Sequence, residues 1–186
     1  MGVVGVASCA HHAWIDTSRY MGIALAKEIG DDVVCRVHTP IDKKGLIHCF
    51  KDSTYLIMHT HGSPEAFIDQ LADDRKRNII SLNTLKKLPK FTNLKLAILT
   101  ACSTAGGERD QNIARELSLH IAEDGLVIAN KFVVYGGYID FGDKDKRNGW
   151  VAYQNGKLVI TEEKIPPLIT MQDSYRIFIN YRKKKY

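Results

Sequence analysis

Cysteine is scarce in this sequence, and the four that occur form no recognisable motif. Their separations match no CxxC spacing of a zinc site, and four thiols in 186 residues are too few for a disulfide scaffold. They are Cys9, Cys35, Cys49 and Cys102. We therefore expect reduced thiols and a cytoplasmic protein.

Long hydrophobic runs are also lacking. No segment approaches the roughly 20 apolar residues of a membrane-spanning helix. The run Met1–Cys9 is apolar, but it is too short for a signal peptide and no basic residue precedes it. We expect no membrane association and interpret Val3–Ala7 as a buried strand.

Charge of one sign is only modestly in excess. The net charge is +5, and part of it lies in the basic run Arg182–Lys185. Aromatic residues are not interleaved with the basic ones, as they would be in a site for single-stranded nucleic acid, so we expect no nucleic-acid partner. The Ser103–Gly107 loop lacks the lysine and the spacing of a Walker motif, which disfavours a phosphate site there.

What is present is an alternation of strand and helix patterns in a chain of 186 residues, 45% of them hydrophobic. This length suits one domain with a core, and we predict a single domain over residues 1–186. The predicted strands are unbroken apolar runs, which are typical of a sheet covered on both faces. They are Val3–Ala7, Val33–Val37, Tyr55–Thr60, Leu94–Thr100, Leu126–Ala129 and Phe132–Tyr135. The pattern predicts an α/β fold, a three-layer sandwich whose mostly parallel sheet is flanked by helices.

Helices are predicted where apolar residues recur every three or four positions. They run from Asp16 or Thr17 to Gly30, over Ser81–Leu88 and over Asp110–Glu123, with a helix or strand around Tyr175–Tyr181. Asn155-Gly156 predicts the turn of a hairpin within Trp150–Ile160. Leu46–Phe50 is interpreted as a short strand or turn, and Asp140–Gly149 as a mobile loop.

Two of the predicted strands end in a side chain that can do chemistry. Tyr55–Thr60 is followed by His61-Gly62, and Leu94–Thr100 is followed by Ala101-Cys102. In open parallel sheets, ligands bind just outside the carboxyl ends of the strands. If these two strands are neighbours, His61 and Cys102 meet at that edge.

The residue types suit nucleophilic catalysis. The thiolate is the nucleophile, and an imidazole within reach can take the thiol proton or stabilise the thiolate as an ion pair. Gly62 permits a sharp turn, and the backbone N–H groups of Gly62 and Cys102 could form an oxyanion hole. The small residues Ser103–Gly107 leave room for a peptide.

These two motifs, in this order, resemble the caspase-like (clan CD) cysteine peptidases, which include caspases, gingipains, clostripain, legumain and separase. The run Leu96–Gly107 is most similar to the CHAT branch, the caspase-like domains associated with tetratricopeptide repeats, and to related small bacterial members. The resemblance covers roughly residues 53–125, and the separation of 41 positions from His61 to Cys102 suits one crossover helix. It implies a cysteine endopeptidase with a His61–Cys102 dyad, a polypeptide substrate, and no metal or other cofactor.

The sequence departs from that family in two respects. It contains no tetratricopeptide repeats, and it has no Gln-Ala-Cys motif, so a preference for aspartate is not implied. Cleavage of its own chain within Lys144–Arg147 is a further hypothesis, and the resemblance leaves room for a regulatory protein partner.

Four residues are predicted to bind substrate. Ser103 follows the nucleophile, and His11 lies near Trp14 after the first predicted strand, at the same sheet edge. In the family, a loop after a later strand helps to form the pocket for the P1 side chain. Asp140 and Asp143 lie in the corresponding charged segment and would favour Arg or Lys.

Other interpretations stay open. The chain could be a catalytically silent caspase-like module that binds a protein partner. It could also be a small-molecule or nucleotide-binding α/β domain in which Cys102 is an incidental thiol. His59 and His61 could ligate a metal, but no third ligand occurs at a suitable spacing, and His59 is interpreted as a packing residue.

Overall fold

The computed structural model describes residues 2–9, 12–39, 41–70, 76–107, 111–136, 141–143 and 148–184. Its strands are β1 (Gly2–Ser8), β2 (Val33–His38), β3 (Tyr55–His59), β4 (His61–Ser63), β5 (Ala66–Gln70), β6 (Lys76–Ser81), β7 (Leu96–Leu99), β8 (Leu126–Asn130), β9 (Val134–Gly136), β10 (Phe141–Asp143), β11 (Trp150–Gln154), β12 (Lys157–Ile160) and β13 (Leu168–Ile169). Its helices are α1 (His12–Ile29), α2 (Lys43–Asp52), α3 (Leu82–Leu85), α4 (Ile113–His120), α5 (Met171–Lys183) and a short 3-10 helix, Glu162–Lys164. None of the helices in these ranges is long and apolar enough to cross a bilayer.

Seven of the described strands form a central sheet in the order β12-β11-β8-β7-β3-β1-β2. The five strands β8, β7, β3, β1 and β2 are parallel to one another. At the other end of the sheet, β11 pairs antiparallel with β8, and β12 pairs antiparallel with β11. The mostly parallel sheet predicted from unbroken apolar runs is confirmed.

Helices cover both faces of this sheet. Side chains alternate between the faces along each strand, so Met58 of β3 lies in one hydrophobic cluster with Phe50 of α2, together with residues of α3 and α4. Ile57 lies in a second cluster with Leu25 of α1 and Phe178 of α5. Each fully buried side chain of this size stabilises the fold by about 1.5–3 kcal/mol. The fold is thus α/β, with a sheet between two helical layers.

The segment Leu46–Phe50, interpreted from the sequence as a strand or turn, lies within α2. That prediction was wrong because the apolar residues follow a helical period: Leu46, Cys49 and Phe50 are buried on one face. Asp42 begins the helix, since its Oδ1 accepts the N–H of Gly45 over 2.7 Å. The helix has only ten residues and contains a glycine and several polar side chains, so its apolar period is short and was not recognised in the sequence.

Other predicted bounds are close to the observed ones but differ at the ends. Helix α1 begins at His12, before Asp16, and ends next to Gly30, whose φ is +140°. Helix α4 spans eight residues and ends earlier than predicted. The hairpin turn at Asn155-Gly156 is confirmed, with φ of 46° and 73° at the two positions. The C-terminal segment is the helix α5.

Two small antiparallel sheets complete the described part of the chain. One is ordered β4-β5-β6 and begins at His61; the other is ordered β13-β10-β9. The predicted strand Phe132–Tyr135 corresponds to β9, which lies in the second small sheet and not in the central one. The predicted mobile loop contains β10, while its residues 140 and 144–147 lie outside the described residues.

Candidate active site

Two adjacent strands bring His61 and Cys102 to one edge of the central sheet. β3 and β7 pair in parallel with Met58 beside Leu99, which confirms that these strands are neighbours. The N–H of Thr100 extends the pairing by donating to the carbonyl of Met58 over 3.1 Å. His61 and Cys102 each follow three positions after the Met58–Leu99 pair, so both lie at the carboxyl edge.

Gly62 lies in direct contact with the loop that bears the cysteine. A Cβ atom at this position would be 2.8 Å from the Ala101 Cβ, the Cys102 carbonyl oxygen and the Thr104 Cγ2. These distances are shorter than van der Waals contact, so any side chain at Gly62 would displace the loop. Glycine therefore lets β4 pass close to the backbone of Cys102.

The loop after β7 is anchored through its backbone. Ser103 adopts a left-handed conformation with a φ of 54°, and its N–H donates to the carbonyl of Phe132 over 2.7 Å. The N–H of Ala105 donates to the carbonyl of Asn130 over 3.0 Å. A left-handed non-glycine residue costs about 1–3 kcal/mol and often occurs at functional sites. The end of β8 thus holds the loop in place.

Asn112 supports the same loop from the first turn of α4. Its Oδ1 caps the helix by accepting the N–H of Arg115 over 2.9 Å. Its Nδ2 donates to the carbonyl of Ala105 over 3.3 Å and to the hydroxyl oxygen of Tyr153 over 3.2 Å. We did not predict this residue from the sequence. The available signal was an asparagine directly before the apolar period that starts at Ile113.

The thiol of Cys102 is half-buried, and its Sγ donates to the carbonyl oxygen of Val134 over 3.7 Å. Val134 is the first residue of β9, so the small sheet β13-β10-β9 lies beside the thiol. Among the residues that the structure describes, the backbone N–H of Cys102 makes no hydrogen bond. It is therefore available to a developing oxyanion.

The other cysteines have less reactive surroundings. Cys9 and Cys49 are fully buried, and burial raises the pKa of the Cys49 thiol to about 12. Burial also raises the pKa of the half-buried Cys35. Because the thiolate is the reactive form, these thiols are poor nucleophiles at neutral pH. Cys102 is the half-buried thiol that lies at the carboxyl edge of the sheet.

Trp14 of α1 contacts His59, the last residue of β3, and His61, the first residue of β4. Its indole stacks on the His59 ring with centroids 4.8 Å apart, and it contacts the half-buried His61 ring at 4.7 Å and an interplanar angle of 48°. The Nδ1 of His59 lies 2.7 Å from the Oγ of Ser18, which in turn donates to Ser8 over 2.8 Å.

Burial lowers the pKa of His59 to about 4, and the neighbouring His61 acts in the same direction. A hydrogen bond with the backbone of Trp14 opposes this lowering but does not cancel it. At neutral pH the ring of His59 is therefore uncharged. The interpretation of His59 as a packing residue agrees with its half-buried position and its stacking on Trp14.

The four residues predicted to bind substrate differ in what the structure says of them. Ser103 lies next to Cys102 in the anchored loop. Asp143 is the last residue of β10 and pairs in register with Val134, the acceptor of the Cys102 thiol. His11 and Asp140 lie outside the described residues. Substrate binding by these residues stays a prediction.

The arrangement has the elements of thiol acyl transfer: a half-buried thiol, an imidazole at the same sheet edge and a backbone N–H beside the thiol. In the described part of the chain, no group of three or more His, Cys, Asp or Glu side chains is placed to hold a metal ion. No protein-family model matches the chain, and a search of curated proteins finds no significant match.

Proposed function

We propose that this chain is a caspase-like cysteine endopeptidase in which Cys102 is the nucleophile and His61 is the general base. The observation that carries the proposal is the parallel pairing of β3 with β7, which places both residues at one sheet edge. The contact of Gly62 with the Cys102 backbone further supports it. Thiol catalysis requires a nucleophile and a base within reach of each other.

The reaction proceeds in two halves. His61 takes the proton of Cys102, and the Sγ attacks the scissile carbonyl carbon to form a C–S bond and a tetrahedral oxyanion. The N–H groups of Cys102 and Gly62 stabilise this oxyanion. The C–N bond then breaks as His61 gives its proton to the leaving amine, which leaves a thioester.

Water completes the cycle. His61 takes a proton from water, and the hydroxide oxygen attacks the thioester carbonyl. The C–S bond breaks, the carboxylic acid product leaves, and the proton returns from His61 to the thiolate. The step needs no metal, oxidant or reductant.

The proposal includes a preference for Arg or Lys at the P1 position. Asp143 pairs in register with Val134 in the small sheet, and the Val134 carbonyl accepts the hydrogen bond of the Cys102 thiol. The preference itself follows from the family resemblance, in which an acidic residue in this segment attracts a cationic P1 group.

A catalytically silent module that binds a protein partner is the second candidate. One observation favours it: the Cys102 Sγ donates a hydrogen bond to the Val134 carbonyl over 3.7 Å, so the thiol already has a structural partner. An active enzyme would have to break this hydrogen bond before the thiolate forms.

The deciding experiment is intact-mass labelling with peptide acyloxymethyl ketones that carry Arg, Lys, Asp or Asn at P1. We expect one adduct on the wild-type chain, strongest with Arg or Lys, and no adduct on Cys102→Ala or His61→Ala. Cys9→Ala is the matched control, because Cys9 is buried, and it should label like the wild type. Intact masses will also show any cut within residues 144–147.

A folded protein that no probe labels would contradict the peptidase proposal. The contradiction would be complete if iodoacetamide modified Cys102 equally fast in the wild type and in His61→Ala. That pair of results would favour the silent module.

A further inference from the structure

The contacts of Trp14 extend beyond packing. Its side chain is half-buried near the start of α1, and its indole contacts the rings of both His59 and His61. The His59 ring is held from a second direction by Ser18, one helical turn after Trp14 on the same face of α1. Helix α1 thus contacts the imidazoles of both His59 and His61.

We propose that Trp14 is a positioning residue that sets the orientation of the His61 imidazole toward Cys102. This inference rests on the proposed peptidase function and extends it to a residue outside the two motifs. The proposed reaction assigns Trp14 no contact with the thiol or the substrate, so its assigned role is to act through His61.

The physical basis is the asymmetry between the two rings. His59 is fixed by the Ser18 hydrogen bond at 2.7 Å and by its parallel stacking on the indole, with an interplanar angle of 22°. The indole, held in this way, presents a rigid surface to His61 at 4.7 Å. The rotamer of a half-buried imidazole at a strand end is set by the groups packed against it, and Trp14 is one of them. General-base catalysis is lost steeply when the base is displaced by about 1 Å.

The uncharged state of His59 supports the same role. Burial lowers its pKa to about 4, so at neutral pH no second positive charge lies behind the indole when His61 takes the thiol proton. His59 serves the site as an anchor for Trp14, and its protonation is not part of the reaction.

The test compares Trp14→Leu, Trp14→Phe and a control, Tyr175→Leu. Tyr175 of α5 contacts the ring of Tyr55, with centroids 6.0 Å apart, at the opposite end of β3. Each variant is assayed for kcat and KM with the substrate identified by the labelling experiment. Each is also assayed for the rate at which iodoacetamide alkylates Cys102 at pH 7.

We expect Trp14→Leu to lower kcat by about tenfold to hundredfold and to leave KM within about twofold. The alkylation rate of Cys102 should fall with kcat. Trp14→Phe keeps an aromatic face against both imidazoles and should recover most of the loss. Tyr175→Leu should keep the wild-type kcat.

Wild-type kcat and alkylation in Trp14→Leu would overturn the proposal. An equal loss in Tyr175→Leu would overturn it too, because the effect would then be general destabilisation. If Trp14→Leu does not fold, nuclear Overhauser contacts between the indole and the His61 ring in the wild-type chain decide, and their absence overturns the inference.

Failure of the peptidase function gives a different pattern. The wild type would then cleave nothing, yet the Overhauser contacts would be present and His61-dependent alkylation of Cys102 would still fall in Trp14→Leu. Positioning by Trp14 would stand, and only the reaction assigned to the site would be rejected.

Discussion

Cys9 and Cys102 both follow a strand of the parallel sheet, and these two strands, β1 and β7, flank β3 on its two sides. Each cysteine therefore has a histidine-bearing segment as its neighbour. On the β1 side, the N–H of Cys9 donates to the carbonyl of His59 over 3.2 Å. On the β7 side, the backbone of Cys102 contacts Gly62, next to His61.

The two cysteine thiols differ in solvent exposure. The Cys9 thiol is fully buried and donates to the carbonyl of Ile68 in β5 over 3.7 Å, so the small sheet β4-β5-β6 closes that side. The Cys102 thiol is half-buried and is followed by a loop of small residues. The same pair of residue types thus occurs in a closed half, at Cys9, and in a more open half, at Cys102, and solvent exposure distinguishes the two.

The largest expected effect is the difference in turnover between the alanine variants of Cys102 and Cys9. Under the proposed function, Cys102→Ala should lower kcat by about a thousandfold or more, because the proposed nucleophile is lost and only binding and oxyanion stabilisation remain. Cys9→Ala should keep kcat within about threefold and lower stability by about 1 kcal/mol, since only a small buried group is removed. Turnover assays and urea unfolding measure both. Activity lost in Cys9→Ala and kept in Cys102→Ala would reverse the assignment.

The next effect concerns the acid stability of the closed half. His59 titrates near 6.5 in the unfolded chain but near 4 in the folded one, because burial disfavours the imidazolium. Between these values the unfolded state binds more protons, so the free energy of unfolding falls as pH drops from 6.5 to 4, by about 3 kcal/mol. Burial also lowers the pKa of His38, which adds a contribution of the same sign.

His59→Gln should flatten this part of the pH profile, as measured by urea unfolding at several pH values. The matched control is His48→Gln, because the His48 side chain is 64% exposed and pairs with Asp52 at the surface. Identical slopes in the wild type and His59→Gln would show that His59 is not the buried neutral group.

A smaller effect is expected when a side chain is added at Gly62, where β4 passes close to the Cys102 loop. Gly62→Ala places a Cβ 2.8 Å from the backbone oxygen of Cys102 and should lower stability by about 1–3 kcal/mol, with a loss of activity. Gly2→Ala is the control, since its nearest neighbour, a Val33 methyl, lies at 3.4 Å. Thermal unfolding and turnover of both variants decide; equal behaviour would mean that the loop adapts without cost.

The smallest effect is expected from Asn112, which supports the loop after Cys102 from the start of α4. Asn112→Ala removes the helix cap and the Nδ2 bond to the Ala105 carbonyl, and it should lower stability by about 1–2 kcal/mol. Asn112→Asp keeps the cap acceptor and should recover part of that loss. If urea unfolding shows no difference between the two variants, the cap contributes nothing measurable.

The central sheet could be predicted because most of its parallel strands are unbroken apolar runs, and such runs have few alternatives. The exception is β2, which contains Arg36. The small sheet β4-β5-β6 could not be predicted. Its Asp69 has a fully buried side chain that pairs with Arg77 over 3.2 Å, whereas any periodicity assigns an aspartate to solvent. Burial of that carboxylate depends on a partner eight positions away in the chain.

The candidate site also has a part that the sequence predicts and a part that it does not. His61 and Cys102 stand out because each follows an apolar strand, and ligands bind just outside the carboxyl ends of such strands in open sheets. The sequence left open whether the two strands are neighbours, and the structure shows that they are. Asn112 and the contacts of Trp14 depend on side-chain packing between segments that are remote in sequence. Local patterns contain no information about such contacts, which is why they emerged only from the structure.

The pairing of β3 with β7 also has a kinetic consequence. His61 and Cys102 are 41 positions apart, and the strands before them meet only after a long loop has closed. Parallel pairings of this kind form slowly and late in refolding. Under the proposed function, a chain refolding from urea therefore has no assembled His61–Cys102 site until the middle of its sheet has formed, and recovery of activity would report that assembly directly.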